Sequence, residues 1–238
     1  MSNSPLATLI RISPNRTSPR NHAIDRITIH CFVGQVTAAR GLEVFAPKSK
    51  GASCNYVVGY DGSIGLCVDE GDRSWCSSSS YNDHRAVTIE TASESKDPYK
   101  VTDKAYAALL DLVTDICRRN GAKKLLWFGD KDKTLSYEPQ EGEMVMTVHR
   151  WFASKACPGD YLYERQGAIA EEVTRRLSES EEDNMVYYET IDDVPDYYRD
   201  AVQKCVDAGA LGGVGGGRLH VSEDMCRTLT VLDRLGKL

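Results

Sequence analysis

The amino-acid sequence predicts an α/β protein with a mixed central β-sheet flanked by helices, followed by a small all-helical C-terminal module. Short β-rich runs predict the strands, and longer runs with apolar residues at helical spacing separate them. The 238 residues are 41% hydrophobic and 27% charged, which is typical of a globular protein and excludes a largely disordered chain. No apolar run approaches the roughly 20 residues of a membrane span, so we expect no membrane insertion.

Six segments in the first 150 residues have the pattern of β-strands. Residues 25–30 alternate apolar and polar side chains, which is the period of a strand. Residues 55–60 and 63–68 flank an Asp61-Gly62 pair, and this pattern predicts a hairpin. Three further strands are predicted at 86–91, 125–128 and 144–149.

Two helices are predicted among these strands. Residues 103–120 carry apolar side chains at helical spacing between an N-cap at Thr102 or Asp103 and a C-cap at Gly121. A second helix is predicted over 160–177. Strands interleaved with helices indicate a mixed α/β domain.

Charge divides the chain after residue 178. Residues 1–178 carry 23 basic and 22 acidic side chains, whereas residues 179–238 carry 6 and 13. The polar residues 179–185 have no aliphatic or aromatic side chain before Met185, which predicts an acidic linker between a first domain (1–178) and a module over 186–238.

The C-terminal module is predicted to contain two helices. One begins at Val194-Pro195 and ends at Gly209, and the other runs from an N-cap at Ser222 toward Leu235. Roughly 50 residues lie near the lower limit for independent folding, so we expect the module to dock on a partner through its apolar helix faces.

The sequence composition also indicates which partners the protein binds and in which compartment it is made. The net charge of −6 argues against a nucleic-acid partner held through phosphate contacts. Residues 1–21 show no basic stretch followed by an apolar core, so no secretory signal is predicted and we expect synthesis in the cytoplasm. Eight cysteines are scattered without close pairs, and we expect most of them to be free thiols in cores.

Three potential metal ligands are His30 and His149 at predicted strand ends and Cys157 in the segment 155–159. Imidazole and thiolate are ligands that Zn²⁺ prefers, and three protein ligands leave a fourth tetrahedral position open for water. The spacing of these residues alone is weak evidence for a metal site, because His30 is far in sequence from His149 and Cys157. A buried histidine, a surface histidine and a packed thiol would then be the more common situation.

Five separated segments match, in order and spacing, the motifs of a known family: Ile27–Cys31, Ser53–Val58, Arg85–Glu90, Thr147–His149 and Lys155–Gly159. Across residues 20–177 the chain resembles the amidase-2 family, which includes phage amidase endolysins and is related to the peptidoglycan recognition proteins. The resemblance implies hydrolysis of the amide between N-acetylmuramic acid and L-alanine in peptidoglycan, with Zn²⁺ held by His30, His149 and Cys157. Zinc suits this reaction because it polarises a carbonyl and lowers the pKa of bound water from about 15.7 to about 7.

The resemblance also implies catalytic residues. Lys155 is placed where a cation stabilises the oxyanion, a contribution commonly worth about 3 kcal/mol, although a solvated surface lysine is its simple alternative. Both Tyr56 and Glu90 are candidates for the general base, since branches of the family use one or the other. We prefer Glu90, because an unpaired carboxylate ending an apolar strand is costly unless it serves a site. Tyr56 is then expected to bind the zinc-bound water or the substrate, or to be an ordinary core tyrosine.

Two segments are less determined. Trp75 and the polar run 76–84 either line a groove for the peptide or sugar or form a mobile loop, and the loop is the interpretation we prefer. The module after residue 185 is similar to the small two-helix modules of prophage-type lysins, which implies wall attachment or self-association as a homodimer. The enzyme is then expected to act on the bacterial cell wall after release.

Two other functions compete with a zinc amidase. A non-catalytic peptidoglycan-binding protein of the same fold is disfavoured by the presence of all three ligands, His30, His149 and Cys157. A cysteine peptidase using Cys157 with His149 is disfavoured because the two-histidine pattern and the following Pro158 suit a metal better than a nucleophilic thiolate.

Overall fold

The computed structural model describes residues 2–182, 186–214 and 218–238. The chain divides into two compact units, Met1–Ser178 and Glu179–Leu238. Each unit has a hydrophobic core of its own. Within the described ranges, no helix combines the length and apolarity needed to cross a membrane.

The first unit is built on nine strands, seven of which form one sheet. The strands are β1 (Leu9–Ile10), β2 (Arg16–Thr17), β3 (Arg26–Cys31), β4 (Tyr56–Val58), β5 (Ile64–Leu66), β6 (Arg73–Ser74), β7 (Ala86–Thr91), β8 (Lys124–Leu126) and β9 (Glu143–Thr147). The main sheet has the order β1-β5-β4-β7-β3-β9-β8, and β2 pairs with β6 separately. All neighbours in the main sheet are parallel except β4 and β5, which form the predicted hairpin.

Six helices accompany this sheet: α1 (Ala38–Phe45), α2 (Ser80–Arg85), α3 (Asp103–Arg119), α4 (Lys131–Ser136), α5 (Gly159–Tyr163) and α6 (Gln166–Glu182). Apolar residues of α3 and α6 pack on one face of the sheet, and those of α1 pack on the other. The N-cap of α3 is Thr102, whose hydroxyl accepts a hydrogen bond from the backbone N–H of Ala105 at 3.1 Å. Helices on both faces of a mixed sheet confirm the predicted fold class of the main domain.

Register decides which side chains share a face. Strands β3 and β7 lie side by side with Ile29 opposite Ile89 and His30 opposite Glu90. Because side chains alternate along a strand, the isoleucines enter the core beneath α3, whereas His30 and Glu90 lie together on the opposite face.

Two boundaries in this unit differ from the prediction. The single helix expected over 160–177 is interrupted, since α5 ends at Tyr163 and α6 begins at Gln166. Helix α6 continues to Glu182, so residues 179–182 of the predicted linker are helical. The segment has no glycine or proline to end the helix, and glutamate is a good helix former. Residues 183–185 of that linker lie outside the described residues.

The second unit contains β10 (Tyr187–Tyr188), α7 (Asp196–Asp207), β11 (Val221–Ser222) and α8 (Glu223–Arg234). It is therefore not all-helical as predicted, because β10 and β11 pair as a short antiparallel ladder. Ser222 caps α8 as expected, accepting a hydrogen bond from the backbone N–H of Met225 at 3.2 Å. Val202 of α7 and Leu229 of α8 are buried in one core, so part of each apolar face is covered within the unit itself.

The cysteines are free thiols, as predicted. Six of the eight are buried, and Cys76 and Cys157 are partly exposed. The two accessible thiols both lie near the site described next.

Candidate metal centre and active site

The three predicted metal ligands converge. His30 is near the end of β3, His149 opens a 3₁₀ turn (His149–Trp151) that one residue separates from β9, and Cys157 precedes α5. One ligand atom from each lies within 4.8 Å of the others. Because β3 and β9 are parallel neighbours, their carboxyl ends reach the same edge of the sheet and bring the two histidines together.

The geometry fits a zinc ion. The Sγ atom of Cys157 lies 3.3 Å from Nδ1 of His30, close to the roughly 3.5 Å expected between a sulfur and a nitrogen on one tetrahedral zinc. The rings of His30 and His149 have centroids 5.1 Å apart at an interplanar angle of 61°, so they do not stack. Two imidazoles and one sulfur form a donor set that zinc prefers.

Both imidazoles are held in the neutral form that a metal requires. Burial, together with the neighbouring His149, lowers the pKa of His30 to about 3. Burial and the charge of Lys155 also lower the pKa of His149. A neutral imidazole has a free lone pair for coordination, whereas an imidazolium has none.

The Cys157 thiol is unsuited to act as a nucleophile. Its hydrogen bond with Cys31, its burial and the nearby Glu90 all raise its pKa in the metal-free protein. A nucleophilic cysteine needs a lowered pKa, and the imidazole in contact with this sulfur is His30 rather than His149. Its position beside two imidazoles favours coordination to a cation instead, since the positive charge of the ion would itself stabilise the thiolate.

Glu90 lies beside the ligands on the same face of the sheet. Its Oε1 atom accepts a weak hydrogen bond from Sγ of Cys76 at 3.9 Å, and its Oε2 atom is buried with no hydrogen-bond partner among the described residues. Burial first, and the neighbouring Cys31 second, raise the pKa of Glu90 to about 8. A carboxylate with a pKa close to neutral is well matched to proton transfer.

Lys155 is exposed in the loop between the 3₁₀ turn and Cys157. Its charge is close enough to contribute to the lowered pKa of His149. The lysine therefore lies within electrostatic reach of the site, as its predicted role requires.

Tyr56 is not brought to the site, which corrects its expected role there. Its register partner on β7 is Ile89, so its side chain enters the core on the face opposite Glu90. The hydroxyl donates to Oε1 of Glu70 at 2.5 Å and accepts from the backbone N–H of Ser4 at 2.8 Å. Tyr56 is therefore a structural residue.

The polar run 76–84, for which we preferred a mobile loop, is partly helical. Helix α2 begins after Ser79, whose hydroxyl accepts from the backbone N–H of Asn82. The Asn82 amide also bonds Thr28 and Thr147, at 2.9 Å and 3.0 Å, which attaches α2 to strands β3 and β9. Trp75, which precedes this run, donates its indole N–H to Thr17.

Ser78 is a site residue that the sequence did not reveal. Its hydroxyl lies 3.0 Å from Nε2 of His149, so it fixes the orientation of this imidazole. Its φ of 64° places the backbone in the left-handed region, which serine rarely adopts. Four consecutive serines, 77–80, gave no signal that singled out this one.

Comparison with known proteins agrees with this geometry. Residues 20–160 match the profile of the Amidase_2 family, described as N-acetylmuramoyl-L-alanine amidase. The chain belongs to this family. Comparison with curated proteins gave no match.

Several solved structures share the fold of this amidase-family chain. PlyL is 15% identical with a TM-score of 0.51, covering 69% of this chain and 95% of its own. The PlyG catalytic domain is 15% identical with a TM-score of 0.50, covering 70% and 93%. A selenomethionine derivative of AmpD is 16% identical with a TM-score of 0.50, covering 73% and 95%. At such identities the likeness establishes the common fold.

Proposed function

We propose that this chain is a zinc-dependent hydrolase of the amide between N-acetylmuramic acid and L-alanine in bacterial peptidoglycan. The observation that supports it most strongly is the convergence of His30, His149 and Cys157, whose ligand atoms lie within 4.8 Å of one another. Family membership supports amidase activity, and the donor set supports zinc as the ion.

Each residue of the site has a separate role in the proposed hydrolysis. When bound, zinc polarises the substrate carbonyl and makes water acidic enough to react at neutral pH. Glu90 takes the proton from the attacking water and returns it to the departing amine, which its near-neutral pKa allows in both directions. Lys155 places a positive charge where the carbonyl oxygen becomes negative. Ser78 keeps the His149 ring in place.

Product analysis tests the reaction. Purified peptidoglycan incubated with the zinc-loaded protein should release free amino groups of L-alanine without new reducing sugar ends. Lys155→Ala should lower kcat by about 10²–10³-fold, which is the usual cost of losing one oxyanion donor. Lys104→Ala, at an exposed position in the first turn of α3, is the matched control and should retain activity. Reducing ends instead of amino groups would redirect the assignment to a glycosidase.

For the C-terminal unit we propose attachment to the cell wall or pairing of two copies, with the enzyme acting on the wall after release. The support is a set of apolar side chains on α7 and α8 that stay exposed in the unit: Tyr197, Met225, Val231 and Leu232. Deletion of residues 186–238 should lower pelleting with purified walls or convert a dimer into a monomer in light scattering, while hydrolysis of soluble muropeptide continues. A deletion that changes neither wall binding nor mass contradicts both roles.

A further inference from the structure

A second group of metal-binding side chains lies beside the first. Ligand atoms of His30, Cys76 and Glu90 also lie within 4.8 Å of one another. We infer that these three residues form an alternative site for a thiophilic cation such as Zn²⁺ or Cd²⁺, and that an ion bound there inhibits hydrolysis. The inhibitory part rests on the proposed function, whereas the binding part does not.

The backbone places the three side chains together for separate reasons. His30 and Glu90 are direct register partners on β3 and β7, so their side chains leave the same face of the sheet at neighbouring positions. Cys76 comes from the segment after β6, and its backbone N–H is held by the Asp83 carboxylate at 3.0 Å. Its Sγ atom is thereby fixed next to Oε1 of Glu90 at 3.9 Å.

The group has unused coordinating capacity. His30 is fully buried, and its Nε2 atom has no hydrogen-bond partner in the part of the chain that the structure describes. The Oε2 atom of Glu90 is in the same situation. Buried polar atoms without partners are costly, so two of them beside a thiol indicate a place where a cation would relieve that cost.

The ligand types select the ion. One imidazole, one thiolate and one carboxylate suit Zn²⁺ and the chemically similar Cd²⁺, whereas Mg²⁺ and Ca²⁺ require mostly oxygen ligands. Binding replaces the Cys76 S–H bond with a metal–sulfur bond and releases the proton to solvent. The group that contains Cys157 offers a second imidazole where this group offers a carboxylate, and imidazole suits Zn²⁺ better, so the alternative site should fill at a higher zinc concentration.

Occupancy of this site interferes with catalysis in two ways. His30 belongs to both groups, and a neutral imidazole has one lone pair for coordination, so an ion that this ring holds together with Cys76 prevents it from binding the catalytic ion. The same ion occupies Glu90, which is then unable to take a proton. Excess zinc should therefore reduce activity that stoichiometric zinc supports.

Cadmium absorbance tests the binding without any activity measurement, because Cd²⁺ bound to thiolate absorbs in the ultraviolet. Cys157→Ser disables the first group and should retain a cadmium–thiolate band, now arising from Cys76. The double variant Cys157→Ser with Cys76→Ser should lose that band, whereas Cys157→Ser with Cys117→Ala, at a buried thiol in α3, should keep it. A band that persists without Cys76, or that is already absent in Cys157→Ser, overturns the assignment.

Zinc inhibition tests the consequence. Each variant is compared with its own activity at one equivalent of zinc, and serine at position 76 retains a hydrogen-bond donor for Glu90. Cys76→Ser should raise the zinc concentration that halves activity by about 10-fold or more, as expected for loss of a ligand. Equal inhibition of wild type and Cys76→Ser overturns the inhibitory role. If the cadmium bands appear as expected but the protein shows no amidase activity, the proposed function is contradicted and the proposed cation site is not.

Discussion

Removing the Tyr56 hydroxyl separates a structural role from a catalytic one. The hydroxyl bonds Glu70 and Ser4, and the Glu70 carboxylate also receives Arg119 at 2.6 Å. Tyr56→Phe leaves a buried N–H and one acceptor of a buried carboxylate without a partner, which we expect to cost about 2 kcal/mol. For a domain of this size that loss lowers Tm by about 4–8 °C. Turnover should stay within about twofold of wild type, because the ring lies on the face of the sheet opposite Glu90.

On one preparation of Tyr56→Phe, urea unfolding measures the loss of stability, and the release of amino groups from peptidoglycan measures turnover. Glu90→Gln is the reference variant, and we expect it to lose about 10²–10⁴-fold in kcat, the range for a general base. Both variants are assayed at 25 °C with bound zinc verified by elemental analysis. A folded, zinc-loaded Tyr56→Phe protein with more than about a 10-fold loss of kcat would refute the assignment of Tyr56 to the core.

Three more predictions follow from the same structure. Cys157→Ser combined with Cys76→Ser should bind zinc at least about 10-fold more weakly than Cys76→Ser alone, and elemental analysis that finds one equivalent retained by the double variant after dialysis would contradict the ligand set. Metal-free Glu90→Gln should be about 4 kcal/mol more stable than metal-free wild type at pH 8 and nearly equal to it below pH 4.5. The folded protein raises the pKa of Glu90 from its ordinary value of 4.5 to about 8, so the stability of the wild type falls as pH rises through that window. Equal Tm values of the two proteins at pH 8 would contradict this. Arg85→Leu should lower the free energy of unfolding in urea by about 3 kcal/mol, because the guanidinium is buried against Asp25. Glu138→Gln, at the exposed partner of Arg85, should lower it by less than about 1 kcal/mol. Similar losses of stability in the two variants would show that burial does not determine the strength of these ion pairs.

Local patterns predicted six of the seven strands of the main sheet, because each of these six carries its own signal, whereas the two-residue strands β1, β2 and β6 are too short to show a pattern and were missed. Residues 86–91 form β7 with the predicted bounds, and the Asp61-Gly62 turn joins β4 to β5 as expected. The strand order of the sheet is not in these patterns, since β3 lies between β7 and β9, both remote in sequence. Long-range pairing depends on packing that involves the whole chain.

The candidate site also depends on long-range strand pairing, which local sequence patterns do not predict. Motif resemblance selected both Glu90 and Tyr56, and only the register of β4 against β7 shows that they lie on opposite faces. Helix α2 was missed because it is six residues long and follows serines, which are typical of loops. It is stabilised by the contacts of Asn82 with two strands rather than by helix propensity.

The separation of the ligands along the chain has a mechanical consequence. Cys157 and His30, in contact through sulfur and nitrogen, are 127 positions apart. An ion held by both would act as a cross-link across most of the first unit, restricting the unfolded chain as a long disulfide loop does. A protease cut in the exposed segment 94–98 would therefore leave two fragments joined by the ion as well as by the pairing of β3 with β9, and a chelator should weaken their association.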